Sequence, residues 1–154
     1  MRTRARAVVI GGGVGGCSIL YWLARLGWDD VVLVEQADLT SGSTFHSAGL
    51  VGQLRGSLTL TKMMMASVDV YRTIGDEVGL ETGWREVGSL RLASSSERLE
   101  EIARQAGWAK TFGLPLELIS AAEAQEMFPL MSTEGVLGAA WLPTDGYIDP
   151  AQLT

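Results

Sequence analysis

Short apolar runs and one amphipathic segment alternate at the start of the chain. The runs Ala7–Ile10 and Val31–Val34 are rich in β-branched residues and too short for helices, so the pattern predicts two buried strands. Between them, apolar residues recur at helical spacing over residues 14–26, and Gly27 follows as a helix stop. A strand, a glycine-rich turn, a helix and a second strand predict one βαβ unit with parallel strands.

The rest of the chain shows a mixed pattern. Residues 36–56 have no clean period and are rich in glycine, serine and threonine, which predicts a long loop of the kind that usually carries function. Beyond it, the patterns predict a helix over 64–78, a strand over 88–93, a helix over 97–112, a short helix capped by Ser120 and Glu123, and a strand over 136–142. These elements predict an α/β protein. Because a Rossmann-type sheet needs more parallel strands than two, we expect the N-terminal part of a longer protein.

Composition and charge narrow the class of protein. The 154 residues are 47% hydrophobic, which is typical of a packed globular chain. A net charge of −6 argues against a nucleic-acid partner and against binding to an anionic membrane surface. No apolar run reaches the roughly 20 residues that a membrane helix needs. The single cysteine cannot form an internal disulfide, so we expect a cytoplasmic location.

A glycine motif follows the first predicted strand. Gly11, Gly13 and Gly16 form the pattern G-x-G-x-x-G, which allows a tight turn, a close approach of backbone to a pyrophosphate, and close packing of helix on strand. The helix N-terminus then offers free N–H groups to the phosphates. Glu35 ends the second predicted strand, where its carboxylate can accept hydrogen bonds from a ribose diol and would repel the 2′-phosphate of NADP. The sequence therefore predicts a dinucleotide site.

His46 is the chain's single histidine, and it lies in the long loop. A loop histidine that makes one hydrogen bond is the simpler interpretation from composition alone. The chain lacks the second histidine or grouped cysteines of a metal site, and it has no G-x-S-x-G nucleophile elbow. The small and hydroxyl residues over 41–49 suit a segment that runs along an extended cofactor, which favours FAD over NAD. Arg55, Arg85 and Arg91 could bind a substrate carboxylate, although surface or ion-pair roles are favoured.

Several strings resemble one enzyme family. LTSGSTFHSAGLV follows VVLVEQ, and REVGSLRLASSSERLEE, AQEMFPL and DGYIDPAQLT extend the likeness over nearly the whole chain. They resemble the dimethylglycine and sarcosine dehydrogenases, within the D-amino-acid-oxidase-like flavoproteins. The resemblance implies a Rossmann-like FAD-binding βαβ unit with the start of an interleaved α+β substrate domain. It places a first FAD segment at residues 1–82, a first substrate-domain segment at 83–145, and a return toward the FAD domain at 146–154.

The resemblance also implies a set of cofactor-binding residues. In that family the histidine of this motif carries FAD covalently through the 8α-methyl of the flavin ring, and this role falls on His46. The glycines of the turn and two groups of neighbours would complete the site. The implied residues are Gly11, Gly13, Val14, Gly15, Gly16, Glu35, Gln36, Gly42, Ser43, Thr44, Phe45, His46, Ser47, Ala48, Gly49 and Leu50. No catalytic base and no metal ligand is identified, and the 154 residues alone are expected to be inactive.

The family's reaction is oxidation of an N-methylated amine such as dimethylglycine or sarcosine, by hydride transfer to flavin. The implied partners are that small-molecule amine and an electron acceptor, which could be oxygen or an electron-transfer flavoprotein. Tetrahydrofolate is implied only if a C-terminal transferase domain exists. Two alternatives stay open: another amino-acid or 2-hydroxy-acid oxidase with non-covalent FAD, and a catalytically silent regulatory relative. The sequence leaves open the particular methylated amine and the oligomeric state.

Overall fold

The computed structural model describes residues 4–154 as twelve elements in two compact units. The strands are β1 (Ala7–Ile10), β2 (Val31–Val34), β3 (Leu50–Val51), β4 (Ser89–Ala93), β5 (Glu117–Ile119), β6 (Gly138–Leu142) and β7 (Gly146–Tyr147). The helices are α1 (Val14–Arg25), α2 (Leu58–Val78), α3 (Ser96–Lys110), α4 (Ala121–Met127) and α5 (Pro150–Leu153). None of the helices within these residues is both long enough and apolar enough to cross a bilayer.

The two units interleave along the chain. The first unit contains the residues up to Leu50 together with Gly75–Gly83 and Ile148–Thr154. The second contains Val51–Ile74 and Trp84–Tyr147. The domain boundaries expected from the family resemblance, at residues 82 and 145, stay a prediction.

The first unit contains the predicted βαβ arrangement. β1 and β2 are parallel, with Ala7 opposite Val31 and Ile10 opposite Val34. The amide of Gly11 continues the ladder by donating to the carbonyl of Val34 at 2.8 Å. The crossover that such a parallel pair requires is made by α1, which packs on both strands.

The prediction that β1 and β2 are buried strands is wrong. Val9 is buried at 8% exposure, but Ile10 is 86% exposed and Val34 is 44% exposed. No residue of β2 falls in the buried class. A parallel strand becomes buried when helices and further strands cover both faces and both edges, and within residues 4–154 this parallel sheet consists of two strands.

The second unit is built on an antiparallel sheet in the order β4-β6-β5. Leu90 lies opposite Trp141 and Leu92 opposite Ala139, so these four side chains share one face. The other face carries the hydrophobic core, whose buried members are Leu54, Ala93, Ile102, Ala106, Ala109, Leu114, Leu116, Ala140 and Leu142. The small alanines on β4, β6 and α3 let the helix lie close to the sheet.

Serine side chains cap two helices of this unit, and the cap at Ser120 is the one that the sequence predicts. Ser95 accepts a hydrogen bond from the Arg98 amide at the start of α3. Ser120 and Glu123 form a reciprocal capping box at α4. Three short strands, β3, β5 and β7, were not predicted, because three residues or fewer give too little alternation to detect.

Leu142→Ala should destabilise the second unit strongly. Its side chain has 0% exposure in the core, and truncating a buried leucine costs about 2–5 kcal/mol through lost transfer energy and a residual cavity. Leu118→Ala on β5 is the control, since Leu118 is 50% exposed and should cost about 0.5 kcal/mol or less. Urea denaturation of both variants measures the difference, and equal midpoints would contradict this assignment of the core.

Candidate functional site

The turn between β1 and α1 depends on glycine at two positions. Gly11 has a φ of +106°, which side-chain-bearing residues rarely adopt. A Cβ on Gly16 would overlap the carbonyl oxygen of Gly11 and would lie 3.1 Å from its carbonyl carbon. The helix therefore approaches the strand closely only because Gly16 has no side chain, as the motif predicts.

The N-terminus of α1 has donors for a ligand. The amides of Gly15 and Gly16 lie in the first helical turn, where no helical carbonyl precedes them, and within residues 4–154 the structure gives them no partner. Gly13, the N-cap, has no side chain to fill this role. A Cβ on Gly15 would meet nothing within 4 Å, so the space beside the first turn is open. Free amides, open space and the positive end of the helix dipole suit a diphosphate.

The Thr44 side chain lies next to Gly13 at the start of α1. The Val14 amide donates to the Thr44 hydroxyl oxygen at 2.9 Å. A Cβ on Gly13 would lie 2.8 Å from that same oxygen. In this structure the glycine at position 13 therefore makes room for a threonine of the long loop, and Thr44 serves as the side-chain cap that the helix otherwise lacks.

The Glu35 carboxylate lies beside the turn at the end of β2. Its Oε2 accepts from the Gly12 amide at 2.6 Å, and its Oε1 accepts from the amides of Gln36 and Ala37 at 2.6 and 3.0 Å. The N–H groups of Gly12, Ala37 and Gln36, in that order of effect, lower the pKa of Glu35 and keep it charged. A carboxylate offers about four acceptor positions, so Oε2 retains one that a ribose hydroxyl could use.

The long loop folds back on the glycine turn through a compact set of turns. The Thr40 amide donates to the Gly12 carbonyl at 3.0 Å, and Thr40 has a φ of +69°. Its own carbonyl accepts from the Phe45 amide at 3.1 Å. A Cβ on Gly12 would lie 2.5 Å from Leu39 Cδ2, so the loop packs directly on the turn. The turn and the loop of this unit thus form one ordered substructure.

His46 lies on the exposed side of this loop. Its amide donates to the Ser43 carbonyl at 3.2 Å, and its ring packs edge-on to Phe45, with ring centroids 5.7 Å apart. Phe45 is 70% exposed. The remaining predicted residues at Gly42, Ser43, Ser47, Ala48 and Leu50 are also exposed, whereas Thr44 and Gly49 are buried. Within residues 4–154 no cluster of three or more potential metal ligands occurs.

Sequence reasoning missed the segment that supports Gly49. The Ile148 amide donates to the Gly49 carbonyl at 2.9 Å, and a Cβ on Gly49 would overlap the Ile148 carbonyl oxygen. Asp149 caps α5 by accepting from the amides that follow Pro150. The Asp-Pro pair at 149–150 is an N-cap and N1 signal that could have revealed this helix start.

Arg91 has local partners in the second unit. Its guanidinium donates to the Leu54 carbonyl and to Gln105, and it lies 4.0 Å from the buried carboxylate of Asp145. Burial lowers the pKa of Arg91 and Asp145 opposes that shift. Asp145 also accepts from the Gln53 amide, so Arg91 and Asp145 together connect β4 to the loop before α2. The structure therefore gives Arg91 the ion-pair role that the sequence favours.

Comparison with known proteins identifies the family. A family model described as FAD dependent oxidoreductase (DAO) matches residues 6–154. The chain belongs to this family. The mouse protein "Sarcosine dehydrogenase, mitochondrial" is 42% identical over 148 residues, and the human "Dimethylglycine dehydrogenase, mitochondrial" is 40% identical over 156 residues. These alignments cover 96% and 99% of the chain but 16% and 18% of the relatives, so the chain spans about a sixth of their length.

Two further comparisons bear on fold and function. The solved structure "L-proline dehydrogenase from P.horikoshii" superposes with a TM-score of 0.91 and 32% identity, covering 99% of this chain and 40% of that one. The D-amino-acid-oxidase-like fold predicted from sequence is thereby confirmed. The mouse "Pyruvate dehydrogenase phosphatase regulatory subunit, mitochondrial" is 35% identical over 150 residues, covering 97% of this chain and 17% of that protein. This FAD oxidoreductase chain therefore resembles dehydrogenases and a regulatory subunit alike.

Proposed function

We propose that this chain is part of an enzyme that oxidises an N-methylated amine, such as sarcosine or dimethylglycine, with FAD as hydride acceptor. The family membership supports FAD-dependent oxidation, and the names of the 42% and 40% identical relatives support the amine class. The observation that carries the proposal is the arrangement in the first unit. There, two partnerless helix amides, a charged Glu35 and the histidine loop all adjoin the glycine turn.

The residues present fit the adenosine and diphosphate part of FAD. The amides of Gly15 and Gly16 would receive the diphosphate at the N-terminus of α1. The free acceptor position on Glu35 would bind the ribose diol. Bound FAD would supply the redox chemistry, and the protein would supply orientation and electrostatics. The loop residues 42–50 would line the flavin side of the cofactor.

His46 is the proposed point of covalent attachment. Its imidazole is exposed on the loop, so a cofactor can reach it without unfolding the segment. Its backbone amide donates a hydrogen bond to the Ser43 carbonyl, which fixes the backbone, and its ring packs edge-on to Phe45. A neutral imidazole has one unprotonated ring nitrogen, which is the nucleophile this linkage needs.

A test of substrate class uses the complete protein under anaerobic conditions. Sarcosine and dimethylglycine should bleach the flavin absorbance in a stopped-flow experiment, and formaldehyde should appear on turnover. Glycine and proline are the controls, because they lack an N-methyl group and should reduce the flavin slowly or not at all. Faster reduction by glycine or proline would replace this proposal with a general amino-acid oxidase that holds FAD non-covalently.

Glu35→Gln should weaken FAD binding about tenfold. The substitution removes the negative charge, and it replaces one acceptor oxygen with an NH₂ donor that would face backbone N–H groups. Folding lowers the pKa of the Glu35 carboxyl group. The charged side chain therefore stabilises the folded turn fully at pH values above the pKa that Glu35 has in the unfolded chain. This stabilisation is lost as the pH falls through the folded pKa. Titration of apoprotein with FAD measures the affinity. Asp38→Asn, which changes an exposed carboxylate of the neighbouring loop, is the control, and an unchanged affinity in Glu35→Gln would refute the ribose assignment.

A regulatory role is the second candidate, because a pyruvate dehydrogenase phosphatase regulatory subunit is 35% identical to the chain. In that case FAD would bind and no methylated amine would reduce it in the anaerobic experiment. The electron acceptor, oxygen or an electron-transfer flavoprotein, belongs to the enzyme proposal. A role for tetrahydrofolate would require a C-terminal transferase domain in the complete protein. The cytoplasmic location stays a prediction.

A further inference from the structure

Two threonines join the long loop to the glycine turn. The Thr40 amide donates to the Gly12 carbonyl at 3.0 Å, and the Thr44 hydroxyl accepts from the Val14 amide at 2.9 Å. These contacts, which we call the threonine clasp, link positions 28 and 30 residues apart in sequence within the first unit. The clasp therefore gives the loop a defined position against the helix N-terminus.

The Thr44 hydroxyl has an unused donor at this helix end. A hydroxyl group can accept hydrogen bonds and also donate one. Thr44 is 7% exposed, and within residues 4–154 the structure gives its proton no acceptor. The partnerless amides of Gly15 and Gly16 lie in the same helical turn as Val14. The Thr44 oxygen is already hydrogen-bonded to the Val14 amide, and its O–H group can still donate to an anion held at the same helix N-terminus, such as a diphosphate oxygen.

The backbone around Thr44 connects the clasp to the histidine. The Thr44 carbonyl accepts from the Ser47 amide at 3.1 Å, and the His46 amide donates to the Ser43 carbonyl. The Phe45 amide donates to the Thr40 carbonyl, so both threonines of the clasp border the segment that carries His46. Because these turns are hydrogen-bonded on both sides of the histidine, fixing the Thr44 side chain also fixes the backbone of residues 45–47.

We propose that Thr44 is a positioning residue that couples occupancy of the diphosphate site to the placement of His46. This inference rests on the proposed FAD site. The Thr44 hydroxyl accepts from Val14 and donates to the bound diphosphate, so an anion at the helix N-terminus tightens the clasp. The tightened clasp orders the loop before the imidazole meets the cofactor. Thr44 itself does not touch the reacting atoms.

Amide hydrogen exchange on the complete apoprotein tests the coupling, with ADP as a probe that carries the diphosphate and lacks the flavin. In the wild type, ADP should slow exchange at Phe45, His46 and Ser47. In Thr44→Val the same ADP occupancy should leave their exchange fast, and Thr44→Ser should restore the slow exchange. Asp38→Asn, which changes an exposed side chain of the same loop outside residues 41–50, is the control and should behave as the wild type.

Covalent incorporation of FAD provides the second measurement. Thr44→Val should slow the formation of acid-stable flavin about tenfold to a hundredfold, the range expected for a misplacement of about 1 Å, while FAD binding weakens far less. Thr44→Ser should restore the rate. Two results would overturn the coupling. One is that ADP slows amide exchange in Thr44→Val as it does in the wild type. The other is that Thr44→Val forms acid-stable flavin at the wild-type rate.

The outcomes separate this inference from the proposed function. If neither ADP nor FAD binds the wild type, the FAD site fails, and the coupling that rests on it fails with it. If FAD binds and is reduced by amines but Thr44→Val shows wild-type exchange and incorporation, the function stands and the coupling alone is overturned. If FAD binds without forming acid-stable flavin, the exchange experiment with ADP decides the coupling on its own.

Discussion

His46→Ala is expected to abolish acid-stable flavin while leaving FAD able to bind. The wild-type complete protein, precipitated with acid, should retain its yellow colour in the pellet, because a covalent bond survives unfolding. The variant should release all of its flavin into the supernatant, since His46 is the single histidine of the chain. The diphosphate and ribose contacts proposed for Gly15, Gly16 and Glu35 do not involve the imidazole, so non-covalent binding should persist.

Cys17 is the matched control for this linkage. It carries the chain's single thiol and lies on α1, in the same unit as His46. Partial burial and, to a lesser extent, the nearby charge of Glu35 raise the pKa of the Cys17 thiol. A protonated thiol is a poor nucleophile, so Cys17→Ser should keep acid-stable flavin at the wild-type level. Wild-type flavin that washes out in acid would remove the covalent claim. Acid-stable flavin in His46→Ala would move the attachment to another side chain.

Features that depend on a few adjacent residues could be predicted from the sequence. The G-x-G-x-x-G motif predicted the turn, and Gly11 does adopt a positive φ while Gly16 does pack on the Gly11 carbonyl. The Ser120 and Glu123 pair predicted a capping box that the structure contains. In each case the residue type has a strong local conformational preference, so four to six positions carry the whole signal.

Contacts between distant segments could not be predicted. Nothing near Val14 indicates that its amide bonds to Thr44, because the donor and acceptor lie 30 residues apart. The motif predicts Glu35 as a ribose ligand but does not reveal the three backbone N–H groups that also donate to its carboxylate. The burial of β1 and β2 was overestimated for the same reason, since burial depends on covering elements and not on the apolar character of the strand itself. Side-chain partners follow from tertiary folding, which a local pattern does not contain.

Gly16→Ala should cause the largest loss of stability among substitutions in the turn. An added Cβ would overlap the Gly11 carbonyl oxygen and lie 3.4 Å from Val9 Cγ1. Because the overlap is with backbone, it can be relieved only if α1 moves away from β1. Overpacking of this kind costs about 1–3 kcal/mol or more, and the helix propensity of alanine, up to about 1 kcal/mol better than glycine, offsets only part of it. The displaced helix should also move its N-terminal amides and weaken FAD binding.

Gly15→Ala is the control, because the same methyl group placed one residue earlier meets nothing within 4 Å. It should leave the stability of the apoprotein unchanged or raise it slightly through helix propensity. Thermal melting without FAD compares the two, since bound cofactor would add its own stabilisation to the folded state. A lower melting midpoint in Gly16→Ala, with no change in Gly15→Ala, is the result expected if α1 and β1 are in close contact at Gly16. Equal midpoints for the two variants would mean that the helix has room to shift, and the close packing assigned to Gly16 would then be wrong.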